Sequence, residues 1–340
     1  MKLRTKTLRG FRGFAAQAVF QTSFAKATRT SEQWEKWLSG LEPSGTGVRV
    51  LHQPWFGKWP QWSFNSRRWR RCLTVHDLIA WRHPEWFEPK VIGYRDRWSK
   101  WIREADLLIC DSVATQNDVL EFFPEKGIEQ TEVVHLGPSF NSFSLGLENS
   151  LLRLPERLEG GEFLLSVCTL EPRKNLKRLL ESYKIFKEMT KSECKLALVG
   201  GSGWGESVQP MIDGLGRYAK DVVVTGYVAD EMLPLLYRRA LAFVYPSLSE
   251  GFGLPVLDAM TMGAPVITSN ISSIPEIAGD AAVLVDPTSV EEIANGLCRV
   301  VEDSELRKRL STDGLSRASQ FSWKRCAKET KAAYARAGAR

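Results

Sequence analysis

The sequence predicts an α/β protein of two domains, the second of them built on a doubly wound parallel sheet. Three observations carry this. The chain has 340 residues, about the length of two α/β domains. From Phe163 to Val285 short apolar runs alternate with helical segments, the signature of successive βα units. The stretch Ala242–Met262, AFVYPSLSEGFGLPVLDAMTM, sets a strand, a tight turn and a helix in direct succession.

The first domain, residues 1–145, opens on a segment that reads as helical and basic through residue 47. Leu3, Leu8, Phe11, Phe14, Ala15, Val19 and Phe20 fall near helical spacing, with Lys2, Arg4, Lys6, Arg9 and Arg12 between them. The first thirty residues hold seven Lys or Arg and no acid, which accounts for the whole net charge of +6. Two readings stay open for residues 2–28: a helix drawn to anionic lipid, or a domain helix with a solvated basic face. Pro43-Ser44-Gly45-Thr46-Gly47 ends this part as a turn.

Val48–Leu51 reads as a strand. His52–Arg71 is rich in Trp and Arg and reads as a surface loop packed by its own aromatics, with an acceptor groove or a membrane interface as the alternatives. Leu73–Val75 is the next strand and ends at His76-Asp77, which puts an imidazole at a strand's carboxyl end, where open α/β sheets bind ligands. A helix through Trp98 and Trp101 follows, then a strand ending at Cys110. Asp111 or Ser112 caps the next helix. Val133–His135 is one more strand, Leu136-Gly137-Pro138 closes the domain, and residues 139–160 form the linker.

In the second domain, residues 150–320, the expected strands are Phe163–Val167, Leu196–Val199, Val222–Thr225, Ala242–Tyr245, Pro265–Thr268 and Ala282–Val285. Ser289 with Glu292 reads as a capping box. Residues 321–340 form a last helix. In Ala242–Met262, Pro246, Ser247 and Ser249 end the strand, Glu250-Gly251-Phe252-Gly253 turns, and Pro255 sits where a helix's first turn tolerates it. A carboxylate, Glu250, therefore stands just ahead of a helix N-terminus, and a second, Asp258, follows eight positions later. Free backbone N–H groups and the helix dipole favour an anion there. Eight helical residues span roughly 12 Å. That separation suits a ligand with a polar group at each end and a diphosphate between, the shape of a nucleotide sugar.

The composition excludes several classes. No run of eighteen apolar residues predicts a membrane-spanning helix, and no apolar h-region predicts a signal peptide. The six cysteines form no CxxC pair and read as free thiols of a cytoplasmic enzyme. The four histidines make no metal-ligand spacing with them; no cofactor and no metal are expected. No nucleic-acid motif accompanies the basic N-terminus.

Glu250 to Asp258 resembles the acidic pair of retaining glycosyltransferases of the GT-B fold, family 4 (group 1), in which two Rossmann-like domains face a cleft. The family's second acid is usually Glu, where this chain has Asp258. Thr169-Leu170-Glu171-Pro172-Arg173-Lys174-Asn175 resembles the family's Glu-Pro-Arg-Lys-Asn loop, and TVHDLIAWRHPEWF resembles a piece found in its bacterial mannosyl- and rhamnosyltransferases. The resemblance covers about Val48 to the C-terminus. It departs at the front, where no opening strand and glycine-rich loop are evident, so a reduced N-terminal domain is expected.

The resemblance implies roles. Arg173 and Lys174 hold the donor diphosphate, Glu250 the sugar hydroxyls, Asp258 the ribose, and His76 the reacting end of the sugar; His83 is structural. Gly226, Tyr227 and Val228 frame the base, and Gly251, Phe252, Gly253 and Leu254 line the donor loop. Glu171 orients its own loop, and Gly200–Gly205 is a donor-side wall. The last helix crosses back onto the first domain. With no DxD motif in a suitable loop, metal-independent transfer by front-side attack is expected. The donor favoured is GDP-mannose, with UDP- and dTDP-sugars open, and the acceptor is a saccharide or lipid-linked sugar in surface-polysaccharide assembly. The competing readings are a non-catalytic nucleotide-sugar-binding subunit and a GT-B nucleotide-sugar epimerase.

Overall fold

The computed structural model describes residues 5–7, 17–19, 49–54, 69–140, 153–205 and 207–339, with the backbone alone at residues 5–7, 17–19, 49, 69 and 339. The chain divides into two compact units. The first comprises the described residues up to Arg82, Pro89–His135 and the chain from Lys324; the second comprises His83–Glu88 and Leu136–Trp323.

The first unit holds a six-stranded sheet in the order β1-β2-β3-β4-β5-β6, with β1 Thr5–Thr7, β2 Gln17–Val19, β3 Arg49–Gln53, β4 Trp69–Val75, β5 Leu107–Cys110 and β6 Thr131–Val133. The β1–β2 pair is antiparallel and the remaining pairs are parallel. Two expectations are corrected here. The segment 1–47 is not helical at Thr5–Thr7 and Gln17–Val19, and an opening strand does exist, because β2 pairs in parallel with β3 at Ala18↔Val50. Helical spacing of apolar residues is a local signal, and pairing with a sheet overrides it. The rest of that segment, and the Trp-rich stretch 55–68, lie outside the described residues.

Successive side chains of a strand point to opposite faces. On one face Leu51, Leu73, Val75, Leu108 and Cys110 pack with Trp101, Ile102, Val119 and Phe123. On the other, Val50, Cys72, Leu107 and Ile109 pack with Ala333, Tyr334 and Ala337 of the helix Trp323–Ala339. A parallel sheet buried on both faces needs apolar residues at consecutive positions, as LLIC of β5 supplies. His52 ties this helix down: its Nδ1 lies 2.5 Å from the Tyr334 hydroxyl and its Nε2 2.8 Å from Thr74 Oγ1. Burial, with a smaller contribution from His76, pushes His52 down to about 4, so it is neutral at pH 7.

The second unit is a six-stranded parallel sheet in the order β12-β11-β10-β7-β8-β9. Its strands are β7 Phe163–Val167, β8 Lys195–Val199, β9 Val222–Gly226, β10 Ala242–Tyr245, β11 Val266–Ser269 and β12 Val283–Val285. From β7 the chain winds outward through β8 and β9, then returns to start β10 on the other side of β7. The strand order therefore reverses between β7 and β10, where open sheets bind ligands beyond the carboxyl ends. Ser289 Oγ accepts from Glu292 N at 3.1 Å, but the Glu292 carboxylate accepts from Asp286 N instead of Ser289 N. Half of the capping box forms, and it suffices to start the helix Val290–Glu302.

Candidate active site

The loop after β7 is short because Pro172 opens a single 3-10 turn, Pro172–Lys174, and Asn175 leaves it in the left-handed region at φ 60°. The Asn175 side chain donates to the carbonyls of Pro246 at 3.0 Å and Pro287 at 2.6 Å. One asparagine thus pins the loop after β7 to those after β10 and β12. This delivers Arg173 and Lys174 to the switch point.

Both cations meet Glu250 there. Lys174 Nζ donates to Glu250 Oε1 at 2.7 Å and to the Tyr245 hydroxyl at 2.5 Å. Arg173 Nη1 donates to Glu250 Oε2 at 2.7 Å, and its Nε lies 2.6 Å from Glu171 Oε1. Tyr245 donates to Glu250 Oε1 at 2.8 Å, and Ser247 Oγ lies 2.6 Å from the same oxygen. Arg173 Nη1 also donates to the Ser249 carbonyl at 3.3 Å. Burial alone would raise the Glu250 carboxyl, but Lys174 and Arg173 outweigh it and hold the group well below the usual carboxylate range. Burial raises Glu171, against the pull of Arg173 and Lys174. Two acids and two cations cancel in charge, so the site is preorganised in sign and position without net charge.

The backbone at Glu250 is clamped as well. Its N–H donates to Ser272 Oγ at 3.0 Å, and its carbonyl accepts from Ser272 and Ser273 Oγ at 2.7 and 2.9 Å. Gly253 has φ 102°, and a Cβ there would lie 2.7 Å from Ile274 Cδ1, so glycine alone fits the turn into the helix Leu254–Thr261. The helix starts one residue ahead of the expected Pro255. Gly251 lies in the turn before it, and the Phe252 ring is turned inward against Phe321, leaving only its backbone for the donor loop.

Asp258 lies within that helix, buried, and its Oδ1 accepts from Ser139 N at 2.6 Å. Burial pushes its carboxyl up to about 6, against the Ser139 hydrogen bond. Gly226 ends the edge strand β9 and Tyr227 and Val228 follow it; Tyr227 is exposed, with its hydroxyl 3.3 Å from Asp230, and Val228 packs on the core. Two of the glycines after β8, Gly200 and Gly203, are packed against backbone. A Cβ on Gly200 would come within 1.9 Å of the Cys168 carbonyl, and one on Gly203 within 2.4 Å of that of Leu170. Trp204 of this loop donates to the Trp86 carbonyl at 2.6 Å, and His83 stacks on Trp86.

His76 belongs to the first unit, at the carboxyl end of β4. Its Nδ1 lies 2.5 Å from Asp111 Oδ2 and its Nε2 2.8 Å from the Pro54 carbonyl. Burial lowers its basicity, but the Asp111 bond and charge, the Pro54 carbonyl and Asp77 more than reverse this and hold it above its ordinary value. Ser112, not Asp111, caps the next helix, accepting from Thr115 N at 3.1 Å. Residue spacing alone did not reveal Asn175, Tyr245, Ser247, Ser272 or Ser273. For all but Tyr245, the last residue of β10, their signal was the clustering of short hydroxyl and amide side chains just past β7, β10 and β11.

Residues 153–317 match the family model "Glycosyl transferases group 1". The O-antigen chain mannosyltransferase B of Escherichia coli is 33% identical over 279 residues, which span 81% of this chain and 72% of that one. The chain belongs to the group 1 glycosyltransferases. A second relative of this group 1 enzyme, the serotype-specific mannosyltransferase WbdA of Escherichia coli, is 26% identical over 272 residues, 75% of this chain but 32% of that protein. The fold of this chain matches the sucrose-phosphate synthase of Thermosynechococcus elongatus with a TM-score of 0.68 at 22% identity, over 89% of this chain and 76% of that one. The architecture is the GT-B type with two parallel-sheet, Rossmann-like domains. Among the described residues no helix is long and apolar enough to cross a membrane.

Proposed function

We propose that this glycosyltransferase moves a hexose, with retention and without a metal, from GDP-mannose to a saccharide or lipid-linked acceptor in surface-polysaccharide assembly. The observation that carries the reading is the Arg173–Lys174–Glu250 cluster at the point where the strand order of the second unit reverses. The names of the relatives, an O-antigen chain mannosyltransferase and a serotype-specific mannosyltransferase, support mannose as the sugar.

In this reading the bond from the anomeric carbon to the leaving phosphate breaks and a bond to the acceptor oxygen forms on the same face. The acceptor's proton passes to the departing phosphate oxygen, so no side-chain nucleophile is needed. Charge grows on that phosphate. Arg173 and Lys174 are already in place to meet it, so little reorganisation opposes the step. Arg173 offers a planar fork and Lys174 a point charge. Glu250, ionised and immobile, accepts from sugar hydroxyls, Asp258 takes the ribose, and the loop Gly226–Val228 borders the base. His76 contacts the reacting sugar. The basic segment 2–28 supplies peripheral contact with the inner face of a membrane through its charge. Liposome co-sedimentation that persists after its deletion rules that contact out.

Thermal stabilisation of the full chain by GDP-, UDP- and dTDP-sugars tests the donor. GDP-mannose is expected to raise the melting temperature most; no response to any of them overturns the reading. Proton NMR of the product's anomeric configuration tests retention, and turnover in EDTA tests independence from metal.

A further inference from the structure

The His76 ring is bound on both sides by acceptors, and the two sides are unequal. Asp111 Oδ2 lies at 2.5 Å from Nδ1. Asp111 is 2% exposed, fixed between the end of β5 and the capped start of the helix Val113–Phe122, and its Oδ1 has no hydrogen-bond partner among the described residues. The Pro54 carbonyl, 2.8 Å from Nε2, sits on an exposed residue. A carboxylate and a carbonyl can only accept, so a ring that satisfies both must carry a proton on each nitrogen.

From this we propose that Asp111 is a positioning residue that keeps His76 an imidazolium, so that His76 meets its ligand as a hydrogen-bond donor through Nε2–H and not as a base. The inference rests on the glycosyltransferase reading for the identity of the ligand, and on the geometry alone for the state of the ring. The buried Asp111 bond stays fixed, and the Nε2 proton turns from the exposed Pro54 carbonyl to an oxygen of the bound donor. A fixed imidazolium suits an oxygen that gains negative charge in the reaction. It cannot take the acceptor's proton, which agrees with that proton leaving on the phosphate.

The titratable groups around the ring allow this. Asp77, in the same loop, adds a second negative charge, although one of its oxygens accepts from Ile79 N at 3.1 Å. His52 on β3 is held neutral by burial and does not compete. Cys326 on the C-terminal helix, its thiol raised by burial with a smaller push from Asp111, is uncharged. Thr115 Oγ1 donates to the His76 carbonyl at 3.3 Å and fixes the backbone beneath the ring.

The test uses the full chain and 15N- and 13C-detected titration of the histidine rings, with His76→Gln to assign the signal. In the wild type both His76 nitrogens are expected to show N–H shifts at pH 7, and the ring to titrate above 6.5. In Asp111→Asn, which keeps the shape and an acceptor oxygen, the midpoint should fall by about one pH unit or more. GDP-mannose turnover or hydrolysis by Asp111→Asn should then be near normal at pH 5.5 and fall about tenfold by pH 8 as the ring loses its proton. A wild-type ring that titrates at or below 6.5 overturns the proposal, whether or not the variant folds. So does an Asp111→Asn loss that is equal at all pH values with an unshifted His76. If no nucleotide sugar is turned over, the functional reading fails, while the titration still decides the Asp111–His76 pair.

Discussion

Glu250 and Asp258 stand eight residues apart, yet the loop and the helix that carry them treat their charges oppositely. Around Glu250, Arg173 and Lys174 from the loop after β7 join the hydroxyls of Tyr245 and Ser247 and hold its carboxyl well below the usual range. Asp258, on the helix, is met by Ser139 alone, and burial lifts its carboxyl to about 6. Both acids are nearly inaccessible, so burial is not the difference. Partners are. A buried carboxylate that is paired is fixed as an anion, and one that is not becomes a group that titrates close to working pH. The first keeps a permanent charge, and the second can change protonation near neutral pH.

The strongest way to break this contrast is to remove the cation from the loop. Lys174→Ala leaves Glu250 buried and short of a partner, and is expected to cost roughly 3 kcal/mol of unfolding free energy. Donor turnover should fall about 10²- to 10³-fold with it, because charge stabilisation at the leaving phosphate is lost. Urea melts and initial rates on the same preparation check both. A folded variant with wild-type rates would show that the cluster serves architecture alone.

A smaller effect of opposite sign is expected at the helix. Folding raises the Asp258 carboxyl from 3.8 to about 6, so its ionised form costs stability, and that cost grows as pH rises through this window. Asp258→Asn keeps an acceptor for Ser139 N and removes the charge. It should stabilise the protein by up to about 3 kcal/mol at pH 8 and by almost nothing at pH 4. Weaker donor binding should accompany it, the trade expected of an acid kept for a ligand. Equal melting shifts at both pH values would show that charge is not the cause.

The smallest effect calibrates the other two. Ser289→Ala removes the N-cap bond to Glu292 N at 3.1 Å, on the second unit but in no contact with the acid cluster. It should cost about 1 kcal/mol and leave turnover unchanged. A drop in turnover here would mean that any destabilisation of this unit mimics a site defect.

Much of this was legible in the residues. The βα alternation, the strand ending at Tyr245 and the acid ahead of the helix follow from apolar runs, Pro and Gly, all of them local. Arg173, Lys174 and Glu250 could be named because each lies in a short stretch with a recognisable loop. The opening of the chain is the counter-example: Thr5–Thr7 is a strand by pairing with Gln17–Val19, and Gln17–Val19 by pairing also with Arg49–Gln53, whereas their own spacing says helix.

By itself, then, the chain determined which segments are strands and helices in the second unit, and which groups of suitable chemistry end them. Only the tertiary structure decided that β10 lies beside β7, which brings residues more than seventy positions apart into one ion cluster. It also decided which acid keeps its charge, and that His76 finds Asp111 thirty-five positions away. The physical reason is that pattern reports the backbone's local preferences. A carboxyl's charge state depends on desolvation and on partners supplied by other strands, and no spacing along the chain encodes those.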